Sequence, residues 1–197
     1  MKNVIYIILF ILYSTLVLAQ EQNGDSYWIS TGLGVNFLKL SDSDVGFNFA
    51  MTANYEIHNN VISYSYMRSS EFVFFNHPGE YIKSHEILYG RSFDFSMEGL
   101  LIPFPFLIFL KKEFNYSVIG KIGISYNERL KRTELENDDF FDNSYNSILL
   151  SGMGFPIMIE IREDLTDYLG MGLSFYTNFN NATNYSGINF HLYIGEF

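Results

Sequence analysis

In Leu169-Gly170-Met171-Gly172-Leu173-Ser174-Phe175-Tyr176 the large apolar side chains hold the odd positions, while Gly, Gly and Ser hold three of the even ones. That is the two-residue period of a β-strand, whose successive side chains point to opposite faces. One face of this strand is oily and the other is small. The pattern recurs along the chain. At its end, Ile188, Phe190, Leu192 and Ile194 alternate with Asn189, His191, Tyr193 and Gly195. Near its start, Ile29, Thr31, Leu33, Val35 and Phe37 alternate with Ser30, Gly32, Gly34 and Asn36. Next, Val45, Phe47, Phe49, Met51, Ala53 and Tyr55 alternate with Gly46, Asn48, Ala50, Thr52, Asn54 and Glu56.

Extending the count predicts eight strands, at 27–38, 45–57, 61–69, 85–95, 115–126, 146–161, 168–178 and 186–196. Each matches or exceeds the roughly 9–11 residues with which a tilted strand crosses a bilayer. The links alternate too. His58-Asn59-Asn60 and Arg162 to Asp167 are tight turns, whereas 70–84 and 127–145 are long. A membrane barrel has this asymmetry, with short turns on the side of both termini and longer loops on the other. Only the link 96–114 departs from it.

Period two alone does not separate a membrane barrel from a soluble antiparallel sheet. The makeup of the two faces does. One set is Leu, Ile, Val, Phe and Met; the other is Gly, Ser, Asn and Thr with a few charges, including Glu56, Lys121 and Glu160. Eight strands enclose an interior that side chains can fill. Large apolar groups would crowd it, so the small polar set is expected inside and the apolar set outside, facing lipid. Tyrosines near strand ends, among them Tyr27, Tyr55, Tyr64, Tyr66, Tyr81, Tyr116, Tyr126, Tyr145, Tyr168, Tyr176 and Tyr185, suit the two interfaces, where one end of the ring is apolar and the other wet. Closure would leave no unpaired edge in the hydrocarbon.

The 197 residues suit one domain. Apolar residues at 48% and charged residues at 17% exclude a disordered chain, and the absence of Cys excludes a disulfide scaffold. Twelve basic against 22 acidic residues give a charge of -10, which would repel a phosphate backbone, so no nucleic-acid partner is expected. Lys2, the apolar run Val4 to Ala19 and the polar stretch after it have the form of a secretory signal peptide. The expected organisation is a signal peptide over 1–19 and a barrel domain over 20–197.

The leader, the eight alternating segments and the terminal Phe197 resemble the small outer-membrane β-barrel family that includes the OmpA-type transmembrane domain. Gly154-Phe155-Pro156-Ile157-Met158-Ile159-Glu160, Leu169-Gly170-Met171-Gly172-Leu173 and Ile194-Gly195 resemble the last three strands of uncharacterised eight-stranded members. The resemblance implies an all-β fold, an eight-stranded antiparallel transmembrane β-barrel after a cleaved signal peptide, in the outer membrane of a Gram-negative type cell. It also implies contact with outer-membrane lipid and insertion by the barrel-assembly machinery, for which a final aromatic residue is a signal. Phe197 departs from the pattern, because its parity matches Gly195, Tyr193 and His191 and not the apolar set.

Two places strain this reading. Arg91 lies between Tyr89 and Phe93 on the apolar parity, and a cation at mid-bilayer on a lipid face costs roughly 2–4 kcal/mol. A bulge near Gly90, or an inward Arg91 paired with Glu56, Glu86, Asp94 or Glu160, is therefore expected. The apolar stretch 100–110 holds Pro103 and Pro105, which oppose a regular strand or helix, so it is expected either at the inner interface with Lys111 and Lys112 toward headgroups or as a hairpin extending the flanking strands.

No motif marks a reaction. Gly32-Leu33-Gly34, Gly152-Met153-Gly154 and Gly170-Met171-Gly172 lack the third glycine and the helix of a nucleotide loop; they fit a narrow inner wall better. His77, Glu80, His85 and Glu86 have no zinc spacing, and the acidic run from Glu134 to Asp142 lacks the ligand order of a calcium loop. No cofactor, metal site or catalytic residue is predicted. The expected function is structural or surface-interacting, with a side-chain-filled lumen, no general porin activity and a surface ligand contacted through loops 70–84 and 127–145. Two alternatives are an acyl-modifying outer-membrane enzyme, built on His191 with Ser174 or Ser186, and a soluble exported lipid-binding barrel with its apolar face inside.

Overall fold

The computed structural model describes residues 25–37, 45–71, 80–98, 113–135 and 145–196. They form eight strands: β1 (Asp25–Phe37), β2 (Val45–Ile57), β3 (Asn60–Glu71), β4 (Tyr81–Glu98), β5 (Glu113–Leu135), β6 (Tyr145–Thr166), β7 (Leu169–Asn180) and β8 (Tyr185–Glu196). Each pairs antiparallel with the next, and β8 pairs with β1 to close a barrel. Every predicted strand is present. The expected leader, the stretch 100–110 and Phe197 lie outside the described residues.

Strands β4, β5 and β6 run well beyond their predicted spans, and β6 takes in Arg162–Thr166, expected as part of a tight turn. Tyr81–Ser84 on β4 and Asn127–Arg132 on β5 belong to the sheet ladder and not to the loops expected at 70–84 and 127–145. Polarity showed where apolar surroundings stop. It did not show where the sheet stops, because backbone groups go on pairing above the apolar zone.

Stepping through directly paired residues from Arg91 leads to Gly120, Ile159, Phe175, Ile188, Val35, Phe47 and Ser70, and back to β4 at Tyr81. The stagger around the barrel is therefore ten residues. With ~3.3 Å per residue and ~4.8 Å between eight strands, this tilts the strands by about 40°.

The tight turns cluster at the end that holds Asp25 and Glu196. His58 and Asn59 have φ of 49° and 65°, the left-handed pair that a two-residue hairpin turn needs. Asn60 steadies this turn by donating its Nδ2 to the carbonyls of Ile57 and His58. Between β6 and β7, Thr166 Oγ1 accepts from the N–H groups of Tyr168 and Leu169.

The two faces sort as their chemistry required. Leu33, Ile87, Phe93 and Ile194 point outward and are exposed, whereas Asn48, Ser65, Ser174 and Asn189 point inward and are fully buried. An apolar exterior around a polar interior contradicts the soluble lipid-binding alternative. Three tyrosines assigned to the interfaces are buried: Tyr116, and Tyr176 and Tyr185, which lie inside the barrel in edge-to-face contact at 6.0 Å. The latter two owe this to parity. Their even and odd positions on β7 and β8 are the inward ones, and parity overrides the usual preference of the ring. The interior also holds apolar bulk that the alternation did not announce, including Trp28, Met67, Ile82, Leu88 and Met158.

Candidate functional site

The lumen holds the densest polar chemistry in the molecule. At its middle, Lys121 on β5 donates to Glu160 Oε2 on β6 at 2.9 Å and to Asn54 Oδ1 on β2 at 2.8 Å. Ser63 donates to the same Asn54 oxygen at 2.7 Å, so the ammonium is tied to both sides of the barrel. Toward the tight-turn end, the Arg162 guanidinium lies 4.4 Å from the Trp28 ring centroid. It donates to Asp164 at 2.9 Å and to Ser117 at 3.1 Å, and Ser117 passes a hydrogen bond to Asp94. Ser92 donates to Glu56 in the same region. Toward the other end, the Asn178 amide reaches Glu86, Ser125 and Tyr185, and Arg129 forms a 3.0 Å ion pair with Glu80.

Glycines make room for this packing. Several large inward side chains lie over a glycine directly paired with them: His191 over Gly32, Tyr176 over Gly187, Lys121 over Gly90 and Trp28 over Gly195. A Cβ on Gly32 would sit 2.6 Å from the His191 ring, closer than real contacts allow. The inner-wall reading of the glycines holds in this form: they answer individual bulky neighbours.

Arg91 is neither inward nor on a bulge. It is exposed and pairs in regular register with Asn60 and Gly120. Asn60 closes the β2–β3 turn, so Arg91 stands level with that turn, near the end of the barrel, where a long side chain carries its charge outward at a lower penalty than at mid-bilayer. The interior acids Glu56, Glu86 and Glu160 are buried as expected, but the cation that meets Glu160 is Lys121. Arg162 and its contact with Trp28 escaped the sequence reading because the predicted strand stopped at residue 161. Continuing the even parity from Met158 and Glu160 would have placed Arg162 inside.

Of the residues weighed for enzyme chemistry, Ser174 Oγ and His191 Nε2 do meet, at 2.8 Å. Both are shut inside the lumen, and among the described residues His191 Nδ1 has no hydrogen-bond partner that could orient the ring. Ser186 faces outward and hydrogen-bonds Thr177. No lipid ester at the outer wall reaches this pair. Glu80 and Glu86 are buried inside while His85 is outward, since 85 and 86 are adjacent in one strand and face opposite ways. His77 and Glu136 to Asp142 lie outside the described residues, among which no acid and histidine group could hold a metal ion.

No protein-family model matches this chain, and no curated protein matches it. Solved structures do. The chain is similar to Neisserial surface protein A, at 12% identity and a TM-score of 0.52, over 89% of this chain and 100% of that one. It is similar to the N-terminal β-barrel domain of Pseudomonas aeruginosa OprF, at 10% identity and a TM-score of 0.56, over 88% and 99%. It is also similar to Ail, the attachment invasion locus protein of Yersinia pestis, at 12% identity and a TM-score of 0.53, over 89% and 100%. At such identities the likeness is one of fold. The chain has the architecture of the small eight-stranded outer-membrane barrels at large, and nothing in the likeness singles out the OmpA-type domain.

Proposed function

We propose that this protein is an integral outer-membrane barrel of a Gram-negative type cell with a structural and surface-contact role. Residues 1–19 serve as its signal peptide, and the barrel-assembly machinery inserts residues 20–197. One observation carries membrane residence: the wall is inverted relative to a soluble protein, with Leu, Ile and Phe exposed around its circumference and ion pairs at its centre. The lumen is crossed by Lys121, Glu160, Arg162 and Asn178 in bonded networks, which suits a plugged barrel and not a general porin. The buried position of the Ser174–His191 pair argues against an acyl-modifying enzyme.

A second feature supports surface contact. Strand β6 meets β7 only from Gly154 onward, so Ser147–Ser151 is paired on the β5 side alone among the described residues. Here Ile148, Leu149 and Leu150 are 50%, 58% and 37% exposed, on both faces of the ribbon. An apolar strand with an unpaired edge is a template for an added strand. This feature supports a surface contact on the β5–β6 ribbon, whose β5 arm takes in part of the expected loop 127–145. Ail has been crystallised with the heparin analogue sucrose octasulfate. The present chain, at -10, suits an uncharged extended peptide better.

The test has two parts. The purified protein is expected to float with vesicles and to migrate differently in detergent gels before and after boiling; free solubility without detergent would overturn membrane residence. A displayed peptide library is expected to yield extended apolar sequences that bind the wild type and not Leu149→Lys. Recovery of binders indifferent to that change would remove the ribbon from the proposal.

A further inference from the structure

Two cations stand side by side on the outer wall. Arg68 on β3 and Lys83 on β4 are direct cross-strand partners, and both lean on one tyrosine, with the Arg68 guanidinium 5.3 Å and the Lys83 ammonium 4.9 Å from the Tyr81 ring centroid. Like charges directly opposite one another destabilise a sheet. Glu128 is the partner of Lys83 on the far side, yet neither Arg68 nor Lys83 forms an ion pair among the described residues. On a chain with nearly twice as many acids as bases, this pairing of bare cations calls for an anion from outside the protein.

Their place on the wall says which anion. Lys83 is eight residues along β4 from Arg91, which stands at the tight-turn rim. At a tilt of about 40° that separates the two by roughly 20 Å along the barrel axis, close to the ~25 Å apolar band of such barrels once the reach of the side chains is added. Between them on the same face lie Ile62, Tyr64, Ile87 and Tyr89, all exposed. Phe49, the β2 partner of Arg68, is exposed as well. Beside the cations, the Tyr64 hydroxyl and His85 Nδ1 share a 2.8 Å hydrogen bond. A cationic pair immediately above an apolar strip matches a molecule with an anionic head and acyl chains.

We infer that Arg68 and Lys83, framed by Tyr81 and His85, form a site on the outer wall for the phosphate headgroup of an anionic lipid in the leaflet away from the tight turns. The inference rests on the membrane reading above. Arg68 supplies a planar fork to the phosphate oxygens and Lys83 a point charge, while the acyl chains lie along Phe49, Ile62 and Ile87.

The full-length barrel, reconstituted in phosphatidylcholine nanodiscs doped with phosphatidic acid, is released for native mass spectrometry. The wild type is expected to retain phosphatidic acid in preference to phosphatidylcholine, and Arg68→Gln with Lys83→Gln to retain it about 30-fold less, given the attraction of two basic residues for an anionic headgroup. Arg91→Gln, at the opposite rim, is expected to retain it like the wild type. Independently of any variant, retention by the wild type is expected to fall as salt is raised. Equal retention by the double variant, or salt-insensitive retention, would overturn the site. Complete displacement by an equal concentration of inorganic phosphate would show an anion site without a lipid, and would overturn the inference as drawn. Failure of every variant and of the wild type to enter nanodiscs would instead sink the membrane reading beneath it.

Discussion

Lys121 Nζ and Glu160 Oε2 lie 2.9 Å apart inside the barrel, with neither side chain more than 2% exposed. Two charges have left water here, and the pair holds because Asn54 takes another of the ammonium hydrogens. Removing one partner strands the other. Lys121→Met alone is expected to destabilise the barrel by about 3–5 kcal/mol, and Lys121→Met with Glu160→Met by much less. Urea midpoints read from the boiling-dependent gel shift check this; equal losses in the single and double variants would refute coupling of the pair.

The His191 ring occupies the space that a side chain at Gly32 would need. Gly32→Val is expected to cost about 1–3 kcal/mol, as an overpacked interior does. His191→Ala in the same chain should recover part of that loss, since it empties the space. The unfolding midpoints of the two single variants and the double variant form the cycle that measures it.

Ile87 lies four residues from Arg91 and four from Lys83, all on the outward parity of β4. The depth of each, and not its neighbours in sequence, sets its tolerance of charge. Ile87→Arg is expected to cost about 2–4 kcal/mol and Arg91→Ile less than about 1 kcal/mol. Folding yields into vesicles at graded urea would show it, and a harmless arginine at 87 would mean that the apolar zone lies elsewhere.

The absence of native cysteine makes a single-cysteine scan clean. A lipid-soluble maleimide is expected to reach cysteines at Leu169, Phe175 and Ile194, which are exposed, and not at Gly172 or Ser174, which are buried in the lumen. Met171 has the outward parity of Leu169 but is only 3% exposed. Labelling there is expected to be much slower than at Phe175, so residue 171 distinguishes parity from accessibility.

What could be read early was local. Alternation in segments such as 169–176 and 188–194 depends on residues two apart, so each strand and its two faces were legible without its neighbours. Turn chemistry at His58 and Asn59 is equally local. Polar strand ends misled, because Lys83 and Glu128 mark the end of the apolar surroundings while the ladder runs on past them.

The candidate sites were less legible because their members are distant in the chain. Lys121 meets Asn54 from 67 residues away, and Ser174 meets His191 only because β7 and β8 pair in one register. Parity told that these side chains face inward. It did not tell which would touch.

The sequence by itself determined the strands, their inward and outward faces and hence an apolar exterior, since period and residue size act along one strand at a time. Closure decided the rest. The ten-residue stagger, a property of all eight pairings together, sets the height at which each residue stands. It puts Arg91 near one rim and the Arg68–Lys83 pair, joined by the β3–β4 register, near the other, and no single strand carries that information.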